Sequence, residues 1–245
     1  MLGGSNYIGD LSHHNLYLHE TNVAGGMIIR YNFTPSLSLK GNIYAGRISG
    51  DDENAATSEY RTRNLHFRSF LLDMGIQGEY YLTGTGNSLP NYNVAPYIMG
   101  GISLFRFNPE AELDGEWKEL HPLGTEGQET TLHPNREKYS LTQISVPLGA
   151  GVKHSIDKHW HIGVEAGFRF TFTDYLDDVS TTYVQGEEDQ QFRRQAGEAA
   201  ARLSNRTGES RDESDQRGDA TRNDHYIFAG ITLTYVLFPA ECYSF

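Results

Sequence analysis

Nothing in this 245-residue chain approaches the roughly 18 consecutive apolar residues that a membrane-spanning helix needs, which excludes a helical membrane protein. Cysteine is almost absent, and the single Cys242 excludes an internal disulfide framework. Basic residues are in deficit, with 20 Lys and Arg against 32 Asp and Glu, so the formal net charge is −12 and nucleic acid is not an expected partner. No Gly-rich loop follows a strand and opens a helix, so the 26 glycines read as packing and bulge positions rather than a phosphate cradle. No basic and apolar leader is visible before Gly4-Ser5-Asn6-Tyr7-Ile8. An exported barrel needs one, so the chain is expected to be a trimmed or mature form.

What is there is alternation. From Trp160 onward, Trp160, Ile162, Val164, Ala166, Phe168, Phe170 and Phe172 share one parity, and His161, Gly163, Glu165, Gly167, Arg169, Thr171 and Thr173 share the other. That is a long two-faced strand. Its apolar face is heavy and its other face carries a few charges among small residues, the pattern of a strand with lipid on one side and a narrow lumen on the other. A hydrophobic content of 38 % is compatible with this, because half of each strand is polar and long loops dilute the average.

Seven further stretches alternate in the same way. The first runs from Gly3 to Leu11 and is followed by a short connection at His13 to His19. Thr21–Phe33, Leu37–Ile48, His66–Leu82, Val94–Phe107 and Gln143–Ile156 follow, then the Trp160 strand and finally His225–Phe238, stopped by Pro239. Val94–Phe107 alternates least clearly around Met99-Gly100-Gly101-Ile102. Pro147 lies inside a strand and predicts a local bulge. Connections after the second, fourth and sixth strands are short, at Pro35, Gly84 to Asn93 and Lys158. The others are long or polar: Asp51 to Leu65, Asn108 to Leu141 and about 174–224. The expectation is therefore one domain over 1–245, an all-β, eight-stranded antiparallel transmembrane barrel of outer-membrane type with long external loops and both termini periplasmic. Within the last loop, Gln190 to Leu203 is expected to form a short exposed helix.

Sorting the strands by face leaves Arg30, Lys40, Asp73, Glu79, Lys153, Glu165 and Arg169 inside. An eight-stranded barrel is just wide enough to fill with side chains, so this set reads as a charge-paired plug rather than a conductive pore or a catalytic pair. The carboxylates Asp51, Asp52, Glu53, Asp174, Asp177 and Asp178 are hard ligands of the kind calcium or magnesium takes. They lack an Asp-x-Asp-x-Asp-Gly register, so a hydrated loop base is expected, with no metal and no cofactor. His13 and His14 fall in a loop. His154 and Ser155 are adjacent on a strand, face opposite sides and are not a dyad, and His159 and His161 share a face near a turn.

Four stretches carry a resemblance: GSNYIGDL at 4–11, RISGDD at 47–52, PLGTEGQ at 122–128 and TFTDYLDDVSTTY at 171–183. Together they resemble a Bacteroidetes family of outer-membrane β-barrels that includes PorG, the barrel component of the type IX secretion system linked to gliding. The resemblance implies a non-enzymatic role, in which the barrel fastens a periplasmic ring of a PorK-like lipoprotein and a PorN-like partner to the outer membrane. The tail after Pro239, with Cys242, Tyr243 and Phe245, is a candidate partner-binding segment. A lone Cys242 in an exported chain points to intermolecular pairing or an inert thiol, and the resemblance supplies the ring as the partner. The alternative is a tail that packs under the barrel mouth with Tyr243 and Phe245 anchored at the membrane interface. The alternatives are a lipid-modifying enzyme of the outer membrane, which needs a nucleophile and base near the rim, and a surface adhesin acting through its long loops.

Overall fold

The computed structural model describes residues 1–12, 16–55, 57–83, 94–184, 187–208 and 215–237. The strands are β1 (Leu2–Ile8), β2 (Asn22–Asn32), β3 (Leu37–Asp51), β4 (His66–Tyr81), β5 (Val94–Leu113), β6 (Glu116–Glu119), β7 (Thr142–Ser155), β8 (Trp160–Thr171) and β9 (His225–Tyr235). Eight of them close a ring in the order β1-β2-β3-β4-β5-β7-β8-β9, with every neighbour antiparallel and β9 pairing back onto β1. β6 stands outside the ring and pairs only with Glu110 to Leu113 of β5. The fold is thus the eight-stranded antiparallel barrel that the alternation predicts, plus one short hairpin.

Polarity in this barrel is inverted. Ile29 is 80 % exposed and Val23 79 %, while Lys40, Asp73 and Glu79 are each 0 % exposed. Phe70, Met74, Ile76 and Tyr80 of β4 all face outward and are exposed. Ten residue steps from Phe70 to Tyr80 at roughly 3.3 Å each, on a strand tilted about 40°, make an apolar band about 25 Å tall, the height of a membrane hydrocarbon layer. Tyr31, Phe33, Tyr80, Trp160 and Tyr235 girdle its turn end, with Trp160 and Tyr235 in edge contact at 5.0 Å. Among the described residues no helix is long and apolar enough to cross a membrane.

Several expectations need correction. The first strand stops at Ile8, because Ser12 donates its backbone N–H to the Gly9 carbonyl while its hydroxyl accepts from the Gly9 N–H, closing a turn at Asp10–Ser12. The third strand runs on to Asp51, and the fifth runs on to Leu113 with clear alternation, Tyr97, Met99, Ser103, Phe105 and Phe107 facing inward. The seventh and eighth barrel strands end earlier than their patterns, at Thr171 and Tyr235.

No bulge forms at Pro147. The β5–β7 pairing keeps one register from Val94↔His154 to Arg106↔Thr142 and only skips the bridges at Gly101 and Ile102, opposite Pro147 and Val146, since proline has no N–H to donate. The single helix expected near Gln190 is two, Glu187–Ala196 and Glu198–Ser204, broken at Gly197 with φ +92°. His13, His14, the turn at Gly84 to Asn93, Pro239 and the tail residues Cys242, Tyr243 and Phe245 lie outside the described residues.

Candidate functional site: the filled lumen and its cap

Two networks fill the lumen. Toward the turn end, Arg30 sits between two carboxylates, its Nε 2.9 Å from Glu79 and its Nη2 2.7 Å from Glu165. Lys40 donates to Glu165 at 3.2 Å and lies 3.8 Å from Glu79. Tyr44 and Tyr97 donate to the two Glu165 oxygens at 2.6 and 2.8 Å, Tyr81 donates to Glu79 at 2.8 Å, and Lys153 reaches the Tyr81 hydroxyl at 3.1 Å. Nearer the loop end, Asp73 accepts from Asn42, Ser103 and Tyr226 at 2.9, 3.0 and 2.8 Å. Arg169 lies 3.9 Å from Asp73 and spreads over the Tyr44 and Phe228 rings, 5.6 and 5.2 Å from their centroids. Gly167 makes room for it, since a Cβ there would fall 2.2 Å from Arg169 Nη1.

All seven charged side chains assigned to the lumen are therefore inside and gathered, four cations against three anions. Arg30 and Lys40 are held by carboxylates, as an isolated charge in a dry interior is strongly disfavoured. Lys153 instead donates to the Tyr81 hydroxyl and Arg169 to the Gly167 carbonyl, with the Arg169 Nε and Nη2 left without a hydrogen-bond partner among the described residues. The tyrosines that complete the carboxylate shells were visible in the pattern only as inward positions. Nothing in the sequence says which acid each one serves.

Above these networks the lumen is closed by aromatics. Tyr7, Phe67, Phe105, Phe107, Tyr226 and Phe228 cluster with Leu176 and Val179 from the 172–224 connection, so this connection dips into the mouth. The expectation of a hydrated loop base fails here. Asp52, Asp174, Asp177 and Asp178 are buried, drawn in by the apolar residues between them. Glu126 accepts from the Ser180 N–H at 2.9 Å, the Thr181 hydroxyl at 2.7 Å and Arg217 at 2.9 Å, while Arg63 grips Asp52 with two bonds of 2.7 Å and reaches the Arg217 carbonyl. Asp51 accepts from the Glu53 N–H. Glu126, Arg63 and Arg217 were missed as functional candidates because their partners lie 11 to 91 residues away. Glu126 does fall inside the PLGTEGQ stretch.

The Tyr7 hydroxyl lies 2.6 Å from Asp177 Oδ2 and 3.0 Å from Asp224 Oδ1. One phenolic proton cannot serve two carboxylates, so a carboxyl proton must occupy the second contact. Burial pushes both acids well above the usual carboxylate range, reinforced at Asp177 by Asp10 and at Asp224 by Asp177, Asp174 and Asp10. Burial also lifts Asp178 to about 6 and Asp174 to about 9. Among the described residues no group of three or more His, Cys, Asp or Glu side chains is arranged to hold a metal ion.

His154 and Ser155 do face opposite sides, but Ser155 meets a different histidine. Its Oγ lies 2.8 Å from His161 Nδ1, across the β7–β8 pair. Sequence spacing hid this contact, which depends on the hairpin register. Asp157 does not orient the ring, since its Oδ1 accepts the His159 and Trp160 N–H groups.

Residues 1–122 match a protein family described as a domain of unknown function, DUF6089. That span covers β1 to β6. No curated protein matches the chain.

Proposed function

We propose that this chain is a non-enzymatic outer-membrane barrel that anchors a periplasmic assembly, its loop end outside and its turn end, with both termini, in the periplasm. The observation that carries the reading is an outward apolar band around a lumen filled at two levels, by a charged network and by an aromatic cap. With the lumen filled among the described residues, the ends of the barrel are left to make contacts, and β9 runs out toward the tail at the turn end. The resemblance of the four stretches names the assembly: the PorK-like lipoprotein and PorN-like ring of a type IX secretion and gliding machinery, with Cys242, Tyr243 and Phe245 as contacts. Co-purification from mildly solubilised outer membrane tests this. Ring proteins should elute with the barrel, and a band joined through Cys242 should collapse on reduction and vanish in Cys242→Ser. A barrel that always elutes alone, with secretion unchanged when the chain is deleted, overturns the proposal.

The Ser155–His161 contact favours one second reading, a lipid hydrolase at the turn-side rim. It is the weaker one, because both side chains point into the lumen, His161 is 3 % exposed, and among the described residues no carboxylate is hydrogen-bonded to the ring. Purified protein should show no phospholipid hydrolysis above the Ser155→Ala background. A rate that Ser155→Ala abolishes would establish the enzyme instead.

A further inference from the structure

The eight ring strands carry few outward-facing cations. β1, β2, β7, β8 and β9 present no Lys or Arg on their outer faces, and the three that exist, Arg47 on β3, Arg68 on β4 and Arg106 on β5, fall on adjacent strands. Register brings them close. Arg47 pairs with Phe70 and Arg68 with Ser49, one row apart, while Arg106 pairs with Leu72 on the row below. Arg47 and Arg68 are diagonal neighbours, about 7–8 Å apart at Cα. Arg106 lies one row from Arg47 across two strand spacings, about 12 Å away, a gap that two extended arginine side chains span toward one headgroup.

The three straddle the loop-end edge of the apolar band, Arg68 one row beyond Phe70, Arg47 level with it and Arg106 one row inside. Met74 and Leu104 lie directly below, both exposed, and Trp117 of β6 stacks on Arg68, its ring centroid 3.7 Å from the guanidinium carbon. Arg68 also pairs with Glu110 at 2.9 Å, whereas the guanidinium groups of Arg47 and Arg106 have no partner among the described residues. Cations at an interfacial height are nearly free of the lipid penalty and attract anionic headgroups.

We propose that Arg47, Arg68 and Arg106 form a binding site on the outer wall for a phosphate-bearing lipid of the loop-side leaflet, its phosphate held by the guanidinium groups and its acyl chains laid over Met74 and Leu104. Charge complementarity selects the headgroup and the apolar floor selects a lipid over free phosphate. The inference rests on the membrane reading above, and the test separates the two. Wild-type barrel, Arg47→Gln/Arg106→Gln and the remote surface control Arg222→Gln are folded into bilayers of phosphatidylcholine alone or with phosphatidylglycerol, and retained lipid is counted after extraction into detergent.

Wild type and the control should retain phosphatidylglycerol preferentially. The double variant, which leaves the lumen and loops untouched, should retain it roughly 25-fold less, about five-fold per guanidinium. Raising salt should weaken wild-type retention, and millimolar inorganic phosphate should not displace the lipid. Equal retention by wild type and the double variant, no preference for phosphatidylglycerol, or displacement by inorganic phosphate would each overturn the site while leaving the barrel in its membrane. A chain that enters neither bilayer overturns both readings.

Discussion

Glu165 is the side chain on which the lumen depends most, and Glu165→Gln isolates its charge at nearly constant volume. In the wild type, Oε1 accepts from Tyr44 at 2.6 Å and Lys40 at 3.2 Å, and Oε2 accepts from Arg30 at 2.7 Å and Tyr97 at 2.8 Å. A glutamine keeps one acceptor and turns an NH2 toward the other pair of donors. The tyrosines can rotate to accept from it, but Arg30 and Lys40 cannot. Arg30 retains Glu79 at 2.9 Å, and Lys40 is left with the Met99 thioether at 2.9 Å and Glu79 at 3.8 Å. Removing one partner of a buried pair costs about 3–5 kcal/mol, and the surviving Glu79 contacts place this variant near the lower end. The assay is urea unfolding of the barrel in lipid vesicles, followed by the shift on a gel between folded and heated forms. Adding Lys40→Met should recover at least half the loss, because the stranded cation is then gone. A single variant within about 0.5 kcal/mol of wild type, or a double variant whose losses simply add, would refute the account of the lumen as a coupled charge network. Planar-bilayer recordings of both variants should remain closed, since the aromatic cap above is untouched.

Three other outcomes follow from the cap and its topology. The raised acids Asp177, Asp224, Asp174 and Asp178 contribute stability that is complete below the unfolded carboxylate range, near pH 4, and is lost as pH rises toward their folded values. Hydrogen exchange across 173–184, corrected for intrinsic rates, should therefore be slower at pH 5 than at pH 8. Asp224→Asn, which can accept from Leu176 and donate to Tyr7, should remove much of that difference, and stronger protection at the higher pH would contradict the assignment. Glu126→Gln leaves Arg217, only 2 % exposed, with the Ser204 and Asp178 carbonyls but without its carboxylate, and should open the 172–224 connection to protease by about 3 kcal/mol of lost protection while the folded gel band persists; unchanged cleavage would show that the cap does not depend on this pair. An epitope placed after Gly208, exposed at the loop end with φ +66°, should be labelled on intact cells, and labelling only after permeabilisation would invert the orientation.

The sequence alone determined the strands, their faces and which charges turn inward, because side-chain direction along a strand has a period of two residues and is a local property. The inward placement of Lys40, Asp73 and Glu165 could be read from parity without knowing a single contact. Tertiary structure decided who meets whom. Arg30 and Glu165 are 135 residues apart, and only closure of the ring and the stagger of its strands bring them to 2.7 Å. The same holds outside the wall, where Arg47, Arg68 and Arg106 become one patch through two strand registers, and at the rim, where Ser155 finds His161 across a hairpin. The acidic connection at 172–224 read as hydrated because composition registers its charges. Its burial is decided by a non-local pocket of aromatics from several strands, which receives Leu176 and Val179 and carries the neighbouring carboxylates in with them.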